Sequence, residues 1–519
     1  MPNTPRLDNR ALLSARRSRR LVVAVTAVGL LLSTGTAVAA AYAGFAQDVS
    51  LPSWFGPWPW RQPGALQGWV VLGLVLIVGL CALWTWFTAT VDHLPAVRGS
   101  WQRLRLRTVA LIAAVWALPF VLGGPVGSLD VQSYAAIGRL AAVGLDPYRV
   151  GPTALGGRFA AGVAPRWRAT PTPYGPLQVQ LLRALSLVTG RHVGQSVLLI
   201  RAVSILALGA ALWFTLRVAE PADRLPALVL TALNPVVLVH IVSGAHLDVL
   251  VGLLAVLVVA CTRGGRPGLA MALAIVATAL KLPGSVLVAF VVLDVVRRTP
   301  GPLRARTLRP VLASGLAASA VVVAICPDPF GWVRALGVPG IVRDGAAPST
   351  WAAYAAGALT GHLAGPELDL AFTLGRTAMG MLGVGVVVTL LWRATSGSTR
   401  QAFRGVGWAL IAVAATGPAF YPWYLVWGLF AAAVGSGARG RFAVVGLSTA
   451  SCVAAALGQG SVVFAVWSVL LVGTVWFWLW TGRDHLARRS AVEKSGPDTG
   501  SATGVPVWMS GGRTSPRTD

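Results

Sequence analysis

Residues 69–90 read WVVLGLVLIVGLCALWTWFTAT, an unbroken apolar stretch without a single charge. A helix needs about 20 predominantly apolar residues to cross the hydrocarbon core of a bilayer, so this stretch predicts a membrane-spanning helix. The rest of the 519-residue chain has the same character, with 55% hydrophobic and only 12% charged residues, whereas a soluble domain carries about 25% charged residues. Its mean hydropathy is +0.69. So few charges do not cover so much apolar sequence in water, and we therefore expect a polytopic integral membrane protein.

Further apolar runs extend on both sides of that stretch. Several are shorter than the roughly 20 residues of a straight span. Two closely spaced short runs are therefore either one merged span or a re-entrant segment that leaves the membrane on the side where it entered. We expect an all-α polytopic bundle of about 12–14 transmembrane helices. The runs cover 21–43, 69–90, 107–123, 196–216, 225–243, 247–262, 267–280, 284–296, 310–326, 371–392, 405–420, 423–437, 442–458 and 462–480.

The basic residues predict the orientation of the bundle. The formal net charge is +26, and most of the 43 Lys and Arg residues fall in short clusters between apolar runs. With the N-terminus in the cytoplasm, 30 of the 43 lie in cytoplasmic segments and ten in external ones. Seven of those ten lie in one long external loop, 124–195. This is the positive-inside pattern of membrane proteins and differs from the basic, aromatic-lined groove of a nucleic-acid-binding protein.

The chain divides into three predicted parts. Residues 1–20 form a basic cytoplasmic N-terminus, 21–480 a transmembrane domain with external loops at 124–195 and 327–365, and 481–519 a disordered cytoplasmic tail rich in Ser, Gly, Thr and Pro.

The N-terminus permits a second interpretation. The run RRSRR at 16–20, followed by apolar residues and the small residues AVAA, resembles a signal peptide that is cleaved near residue 40. We favour a retained first helix, because the following membrane helices make cleavage unnecessary. The four cysteines, none in a CxxC pair, are typical of buried apolar residues and not of a disulfide framework.

The loop 124–195 carries the first candidate site residue. Asp130 lies just beyond an apolar run, and Val131, Tyr134 and Gly138 follow at helical spacing. This pattern predicts a short amphipathic helix along the outer interface, with Arg139 on its polar side. Asp130 is either the N-cap of that helix or a general base at the mouth of the bundle, and both roles are compatible.

Two Pro-containing stretches follow in the same loop. The sequence GLDPY at 144–148 predicts a turn fixed by Pro147. The sequence PTPYGPL at 171–177 predicts a second rigid stretch. Both are either a stiffened loop or a shaped wall that presents Tyr148 and Tyr174 to a sugar or a lipid headgroup.

Later external edges carry further polar and aromatic candidates. His246 and Asp248 are two residues apart and suit a polar contact to sugar or phosphate, with metal ligation as the weaker alternative. Lys281 either extends to lipid headgroups or pairs with a substrate phosphate. Arg343, next to Asp344, forms either a surface ion pair or a phosphate contact. Tyr421 and Trp423 either anchor the chain at the interface or stack on a sugar.

Motifs of other function classes are not found in the sequence. No Walker A sequence is present, so an ATP-driven transporter would lack its motor. No Gly-rich dinucleotide-binding turn is present either. A site outside the membrane has no supply of cytosolic nucleotide sugars, which favours a lipid-linked donor.

The stretches DVQSY at 130–134, GR at 138–139, GLDPY at 144–148 and PYGPL at 173–177 resemble the actinobacterial polyprenol-phosphomannose-dependent alpha-1,6-mannosyltransferases of lipomannan and lipoarabinomannan assembly. These enzymes are GT-C glycosyltransferases of the cell envelope. The resemblance implies a GT-C-like bundle and Asp130 as the catalytic base. It also implies an inverting reaction, because the donor is beta-linked.

The sequence thus predicts an enzyme in the plasma membrane with an extracytoplasmic active site. As the resemblance implies, it would transfer mannose from polyprenyl-phosphate-mannose to a lipid-linked mannan acceptor, forming alpha-1,6 linkages, and we expect no cofactor. A transporter or flippase of a lipid-linked sugar is one alternative, and a related arabinosyl- or protein-O-mannosyltransferase is another. The predicted substrate-binding residues are Tyr134, Arg139, Tyr148, Tyr174, His246, Asp248, Lys281, Arg343, Tyr421 and Trp423.

Overall fold

The computed structural model describes residues 9–42, 66–92, 99–341, 343, 347–361 and 364–456. These residues form helices and connecting loops, with no strand among them, which confirms the predicted all-α class. The last apolar run, the tail 481–519 and the start of the segment 1–20 lie outside the described residues.

Each predicted apolar run that begins before residue 456 contains a described helix, and further helices form within the predicted external loops 124–195 and 327–365. Those of the first half of the chain are α1 (Asn9–Tyr42), α2 (Leu66–Asp92), α3 (Gly99–Leu122), α4 (Asp130–Ala142), α5 (Gly157–Ala161), α6 (Pro165–Arg168), α7 (Pro176–Thr189), α8 (Val193–Val218) and α9 (Arg224–Ala232). Those of the second half are α10 (Val249–Arg263), α11 (Pro267–Leu280), α12 (Ser285–Arg298), α13 (Arg304–Ile325), α14 (Pro348–Thr360), α15 (Gly365–Ser396), α16 (Thr399–Thr416), α17 (Val426–Gly435) and α18 (Ala438–Ala456).

Short 3-10 and π turns join several of these helices. A π-helix at Val237–Ser243 follows α9. The 3-10 turns are Pro152–Leu155, Leu282–Gly284, Gly301–Leu303, Gly331–Ala335, Val338–Ile341 and Pro422–Leu425.

Six of the described helices are long and apolar enough to cross a membrane by length and composition, and a seventh is counted if one bent pair forms a single span. This count covers the described residues only, so the last predicted run, 462–480, is not part of it. Three further apolar helices have only 10–17 residues. The six long spans are Arg19–Tyr42, Gly68–Val91, Gln102–Leu122, Val193–Val218, Gly301–Ile325 and Gly365–Ser396.

The bent pair consists of α9 and the following π-helix, which meet at 63°. The break lies at Asn234-Pro235, where Pro lacks the N–H that would continue the helix. The Asn234 side chain accepts a hydrogen bond from Val236 N at 2.9 Å and donates one to Ser448 Oγ at 3.0 Å. The bend and the wider π turn bring His240 and the segment 244–248 to one end of the bundle, beside the start of α10.

Short helices with small residues form the centre of the bundle. All ten residues of α17 are buried, and α17 packs against α10 and α16. Gly407 and Gly428 allow a very close approach of α16 to α17, since a Cβ on Gly428 would lie only 2.0 Å from the Gly407 carbonyl oxygen. Small residues at helix contacts are typical of packing within a membrane.

Buried ion pairs gather at the end of α10 opposite His246. Asp294 pairs with Arg263 at 2.9 Å and with Arg298 at 3.2 Å. These groups come from loops that the charge pattern places together in the cytoplasm. Since α10 rises about 1.5 Å per residue over its 15 residues, the ion pairs lie about 20 Å from the polar residues at its N-terminus. We refer to this part as the basic end of the bundle.

The prediction that an amphipathic helix lies along the outer interface is wrong for α4. Every residue from Val131 to Gly138 is buried, including the polar Gln132 and Ser133, so the helix has no long water-facing side. At Gly138 the helix meets α7 closely, because a Cβ there would lie 2.4 Å from the Leu182 carbonyl oxygen. The apolar spacing correctly predicts a helix, but this helix lies in the interior of the protein.

Candidate active site

A cavity of about 700 Å³ opens between the loop 127–174 and the ends of the central helices, at the end of the bundle opposite the basic end. Five predicted site residues and their neighbours line it. Among the lining residues are Ser128, Asp130, Arg166, Trp167, Tyr174, Lys281, Val286, Val413, Tyr421, Trp423, Tyr424 and Trp427.

Asp130 is the first residue of α4, and its carboxylate is not the helix cap. The N-cap position is Leu129, and no side chain caps the helix. The Asp130 backbone N–H donates to Ser128 Oγ at 3.1 Å. The side chain is 19% exposed and lines the cavity. The prediction of a capping role is therefore wrong, and the carboxylate is available for chemistry in the cavity.

Burial raises the pKa of the Asp130 carboxyl to about 6. The Lys281 ammonium partly opposes this shift in pKa, and the Asp248 carboxylate adds to it. A carboxyl whose pKa lies just below neutral is ionised at pH 7 yet is a stronger base than an ordinary Asp. The cavity thus holds a carboxylate suited to accept a proton.

His246 lies behind Asp130 and is fully buried. Its Nδ1 lies 3.2 Å from the Tyr134 hydroxyl, one helical turn after Asp130. The same nitrogen lies 4.0 Å from one oxygen each of Asp130 and Asp248. Burial lowers the pKa of His246 well below its ordinary value, so a neutral imidazole lies near both carboxylates. The preceding Ala245 adopts a positive φ of 54°, an unfavourable conformation for a residue with a Cβ that turns the chain into this position.

Asp248 is 3% exposed and lies behind the cavity wall. The same oxygen of Asp248, Oδ1, accepts two hydrogen bonds, one from Lys281 Nζ at 2.7 Å and one from Trp427 Nε1 at 2.6 Å. The predicted contact of Asp248 with substrate is therefore not what the structure shows, because its oxygen is occupied by two donors. Its contacts hold the cationic side chain of Lys281 in place.

Lys281 is enclosed by aromatic rings. Its Nζ lies 4.3 Å from the ring centre of Tyr424, 5.0 Å from Trp427 and 5.5 Å from Tyr174. Such contacts stabilise a cation that has lost part of its water. The side chain is 13% exposed and belongs to the cavity lining. Extension to lipid headgroups is thus not its role. The ammonium is held by Asp248 at the cavity, and its charge lowers the pKa of Asp130.

A ladder of stacked rings forms another wall. Tyr421 stacks on Trp423 with ring centres 4.7 Å apart, and Trp423 stacks on His246 at 3.8 Å. Tyr421 and Trp423 line the cavity. The sequence left interface anchoring and sugar stacking open for these rings, and their place in the cavity favours contact with a ligand.

The Pro-containing stretch of the loop presents Tyr174 to this cavity. Gly175 N donates to the Leu280 carbonyl at 3.1 Å, which joins the stretch to the end of α11 beside Lys281. Only glycine permits this contact, since a Cβ would lie 2.2 Å from the Ala279 carbonyl oxygen. Tyr148 supports the stretch from behind, as its hydroxyl donates to the Tyr174 carbonyl at 3.2 Å.

Six of the ten predicted substrate-binding residues do not line the cavity. Tyr134, His246 and Asp248 are buried behind it, and the other three are Arg343, Arg139 and Tyr148. Arg343 pairs with Asp369 and stacks over Phe372 at 4.5 Å, as in the alternative of a surface ion pair. Arg139 lies in the last turn of α4 and does not line the cavity. Tyr148 is buried under the loop. The sequence predicts that these residues lie on the outer side of the membrane, but it does not predict the direction in which their side chains point.

The sequence analysis did not single out several residues of the lining. Arg166 and Trp167, from the short helix α6, face the cavity, as does Trp427 in α17. The only sequence signal for Arg166 is its place in the same loop as Asp130. The described residues contain no group of three His, Cys, Asp or Glu side chains that would hold a metal ion.

Comparison with known proteins agrees with the resemblance seen in the sequence. A family model described as "Alpha-(1->6)-mannopyranosyltransferase, N-terminal domain" matches residues 26–297, and one described as "MptB C-terminal domain" matches 349–482. No solved structure matches the chain.

Similar curated proteins carry the same family name. Alpha-(1->6)-mannopyranosyltransferase A of Mycobacterium tuberculosis is 30% identical over 352 residues, which are 66% of this chain and 68% of that protein. A second alpha-(1->6)-mannopyranosyltransferase of the same organism is 30% identical over 61% of this chain and 63% of its own length. Alpha-(1->6)-mannopyranosyltransferase B of Corynebacterium glutamicum is 27% identical over 60% and 56%, respectively. The chain belongs to the alpha-(1->6)-mannopyranosyltransferase family.

Proposed function

We propose that this protein transfers mannose from polyprenyl-phosphate-mannose to a lipid-linked mannan acceptor, with formation of an alpha-1,6 linkage. The reaction takes place at the extracytoplasmic face of the plasma membrane. The names of its relatives support the sugar and the linkage. The sequence resemblance supports the polyprenyl phosphate donor, and the charge pattern supports the side of the membrane.

The observation that carries the proposal is the pair of opposite charges at one cavity. Asp130 and Lys281 both line it, and Lys281 lowers the pKa of Asp130 against the larger effect of burial. A base and a cation are what glycosyl transfer to a hydroxyl requires when the leaving group is a phosphate.

The transfer step follows from this placement. The acceptor hydroxyl oxygen forms a bond to the anomeric carbon while its proton moves to the Asp130 carboxylate. The bond between the anomeric carbon and the phosphate oxygen breaks, and the electron pair leaves with the polyprenyl phosphate. Attack opposite to the leaving group inverts the anomeric centre through a transition state with oxocarbenium character.

Cations at the cavity stabilise the departing phosphate. Lys281 is fixed by Asp248 and the aromatic rings, and Arg166 lines the cavity from the loop side. Their preorganised charges act where negative charge develops, which is the largest single contribution in many enzymes. Arg166 replaces Arg343 as the second candidate cation, because Arg343 lies outside the cavity.

The remaining lining suits the rest of a lipid-linked sugar. Tyr421, Trp423 and Tyr174 present ring faces and edges on which a mannose ring packs. Val286, Val413 and Ala414 form an apolar part of the lining that suits an isoprenoid chain.

Mannosyl transfer by the purified full-length protein tests the proposal. The assay supplies labelled polyprenyl phosphomannose and a short alpha-mannoside acceptor, and the product is digested with a linkage-specific mannosidase. We expect an extended mannoside whose new bond is cleaved as an alpha-1,6 linkage. Transfer from a nucleotide sugar alone, or a product with another linkage, would contradict the donor or the linkage respectively.

A further inference from the structure

A second cavity lies at the basic end of the bundle, far from the proposed active site. Its volume is about 660 Å³, and it opens between the last turns of α15 and the first turns of α16. Arg393, Arg404, Trp392 and Trp408 are among the residues that line it. Mannosyl transfer at Asp130 uses none of them.

The two arginines of this cavity have no acidic partner within the described part of the chain. The nearby carboxylates are already used by other arginines. Asp294 pairs with Arg263 and Arg298, and Asp223 accepts from Arg400 at 3.0 Å and from Arg441 at 3.4 Å. Two guanidinium groups that face one partly enclosed space repel each other, so an anion bound between them would be stabilised by both.

The wall beside the arginines is apolar and continuous with the face of a membrane-spanning helix. Trp392 is 54% exposed, and Arg297 lies over its ring at 3.6 Å, which fixes the ring at the cavity edge. Val388 and Met381 lie one and three turns earlier on α15 and are 56% and 67% exposed. Only 11% of the apolar stretch of α15 that is suited to cross a membrane is buried within the protein. The exposed apolar stripe of Met381, Val388 and Trp392 therefore suits lipid chains.

We propose that this cavity binds the headgroup of an anionic phospholipid from the membrane leaflet at the basic end. Its phosphate lies between Arg393 and Arg404, where each fork of N–H groups donates to phosphate oxygens. Its acyl chains follow Trp392 and the apolar stripe of α15. A free phosphate ion satisfies the arginines but leaves Trp392 and the stripe without a ligand, which is why the geometry favours a lipid.

Native mass spectrometry of the full-length protein in detergent tests this site. Phosphatidylglycerol is added to delipidated protein, with phosphatidylcholine as the zwitterionic comparison. We expect wild-type protein to retain one phosphatidylglycerol in preference to phosphatidylcholine. Arg393→Gln combined with Arg404→Gln should weaken this binding by about tenfold or more, the loss expected for a charge-assisted hydrogen bond.

The matched control removes the same charge at the same end. Arg306 and Arg309 are exposed residues of α13 and do not line the cavity. Arg306→Gln combined with Arg309→Gln should leave phosphatidylglycerol binding unchanged. An equal loss in both double variants would mean that only general positive charge attracts the lipid, and the proposal would be wrong.

A second variant separates a lipid from a free anion and does not depend on the double variant folding. Trp392→Ala keeps both guanidinium groups and removes the apolar wall, so we expect weaker phosphatidylglycerol binding. Inorganic phosphate alone should not raise the thermal midpoint of wild-type protein. Unchanged lipid binding in Trp392→Ala, or stabilisation by inorganic phosphate that disappears in the double arginine variant, would overturn the lipid assignment.

Discussion

At the scale of single residues, the carboxylate of Asp130 decides the proposed chemistry. It begins a helix that it does not cap, and it faces a cavity. Replacement by Asn keeps the size and removes the base. We expect mannosyl transfer by Asp130→Asn to fall by ~10²–10⁴-fold, the usual contribution of general base catalysis.

The same variant should not be less stable than the wild-type protein. Because the pKa of Asp130 is raised to about 6 in the fold, its ionised form at pH 7 opposes folding, and Asn removes this cost. Asp146→Asn is the control. The Asp146 side chain accepts a hydrogen bond from Tyr148 N at 2.9 Å in the turn that contains Pro147, and it lies outside the cavity. A stable Asp130→Asn protein with near-normal transfer would remove Asp130 from the mechanism.

The pH dependence of kcat/KM reports the same carboxylate. Since the base works only when ionised, activity should fall below about pH 6, by about tenfold per unit at lower pH. Lys281 lowers the pKa of Asp130 and Asp248 raises it. The acid limb should therefore move to higher pH in Lys281→Met and to lower pH in Asp248→Asn. An acid limb that stays in place in both variants would show that another group titrates.

Donor recognition distinguishes the two predicted cations. Lys281 lines the cavity, whereas Arg343 pairs with Asp369 outside it. Lys281→Met should raise the KM for the donor, with a loss of about 1.5–3 kcal/mol if a charge-assisted hydrogen bond is removed. The double variant with Asp248→Asn avoids an unpaired buried carboxylate. Arg343→Gln is the matched control and should leave donor kinetics unchanged, and a larger effect there than in Lys281→Met would reverse the assignment.

The sequence predicts which single residues belong to the site only where their neighbours in the chain define their position. Asp130, Lys281, Tyr421 and Trp423 lie at or near the ends of apolar runs on the predicted outer side, and Tyr174 lies in the outer loop 124–195. Their presence near one cavity was therefore predictable. The neutral His246 between two carboxylates and the occupied oxygen of Asp248 depend on contacts between distant parts of the chain, and no local pattern contains them.

At the scale of elements, the contact between the loop at 171–177 and the end of α11 sets the shape of the cavity. It depends on Gly175, where a Cβ would lie 2.2 Å from a backbone oxygen that belongs to a buried helix end. Gly175→Ala should push Tyr174 away from Lys281 and lower transfer by about tenfold or more, as small misplacements in a site often do.

Gly209→Ala is the control for that change, because nothing lies within 4 Å of a Cβ at this position in α8. Both variants should reach the membrane at similar levels, as measured by expression of a fluorescent fusion. Unchanged transfer in Gly175→Ala would show that the loop adapts and that Tyr174 does not need this contact.

The helices themselves were more predictable than their roles. Long apolar runs must satisfy their backbone groups internally in lipid, so a helix is the expected outcome. Burial on all sides, as for α4, depends on which neighbours surround a helix. Apolar spacing alone does not distinguish an interior helix of a bundle from one at an interface.

At the scale of the whole molecule, the charge pattern and the fold describe the same two ends. Loops that the positive-inside rule places in the cytoplasm meet in ion pairs such as Asp223 with Arg400 and Asp294 with Arg263. Loops assigned to the outside meet around the cavity of Asp130. The grouping of the loops at two opposite ends is the same whichever end faces the cytoplasm. The excess of Arg at the basic end indicates that this end is the cytoplasmic one.

This orientation predicts the outcome of reporter fusions in intact cells. A phosphatase inserted within 150–165, in the loop of the active site, should be active because it lies outside the cytoplasm, and a fluorescent protein inserted there should be dark. At 300–305, between α12 and α13, the results should be the reverse. Of the 43 Lys and Arg residues, 30 fall on the predicted cytoplasmic side, so inversion would expose most of this charge to the wrong side. A phosphatase active only at 300–305 would place Asp130 in the cytoplasm, and the extracytoplasmic, lipid-linked donor of the proposal would then be wrong.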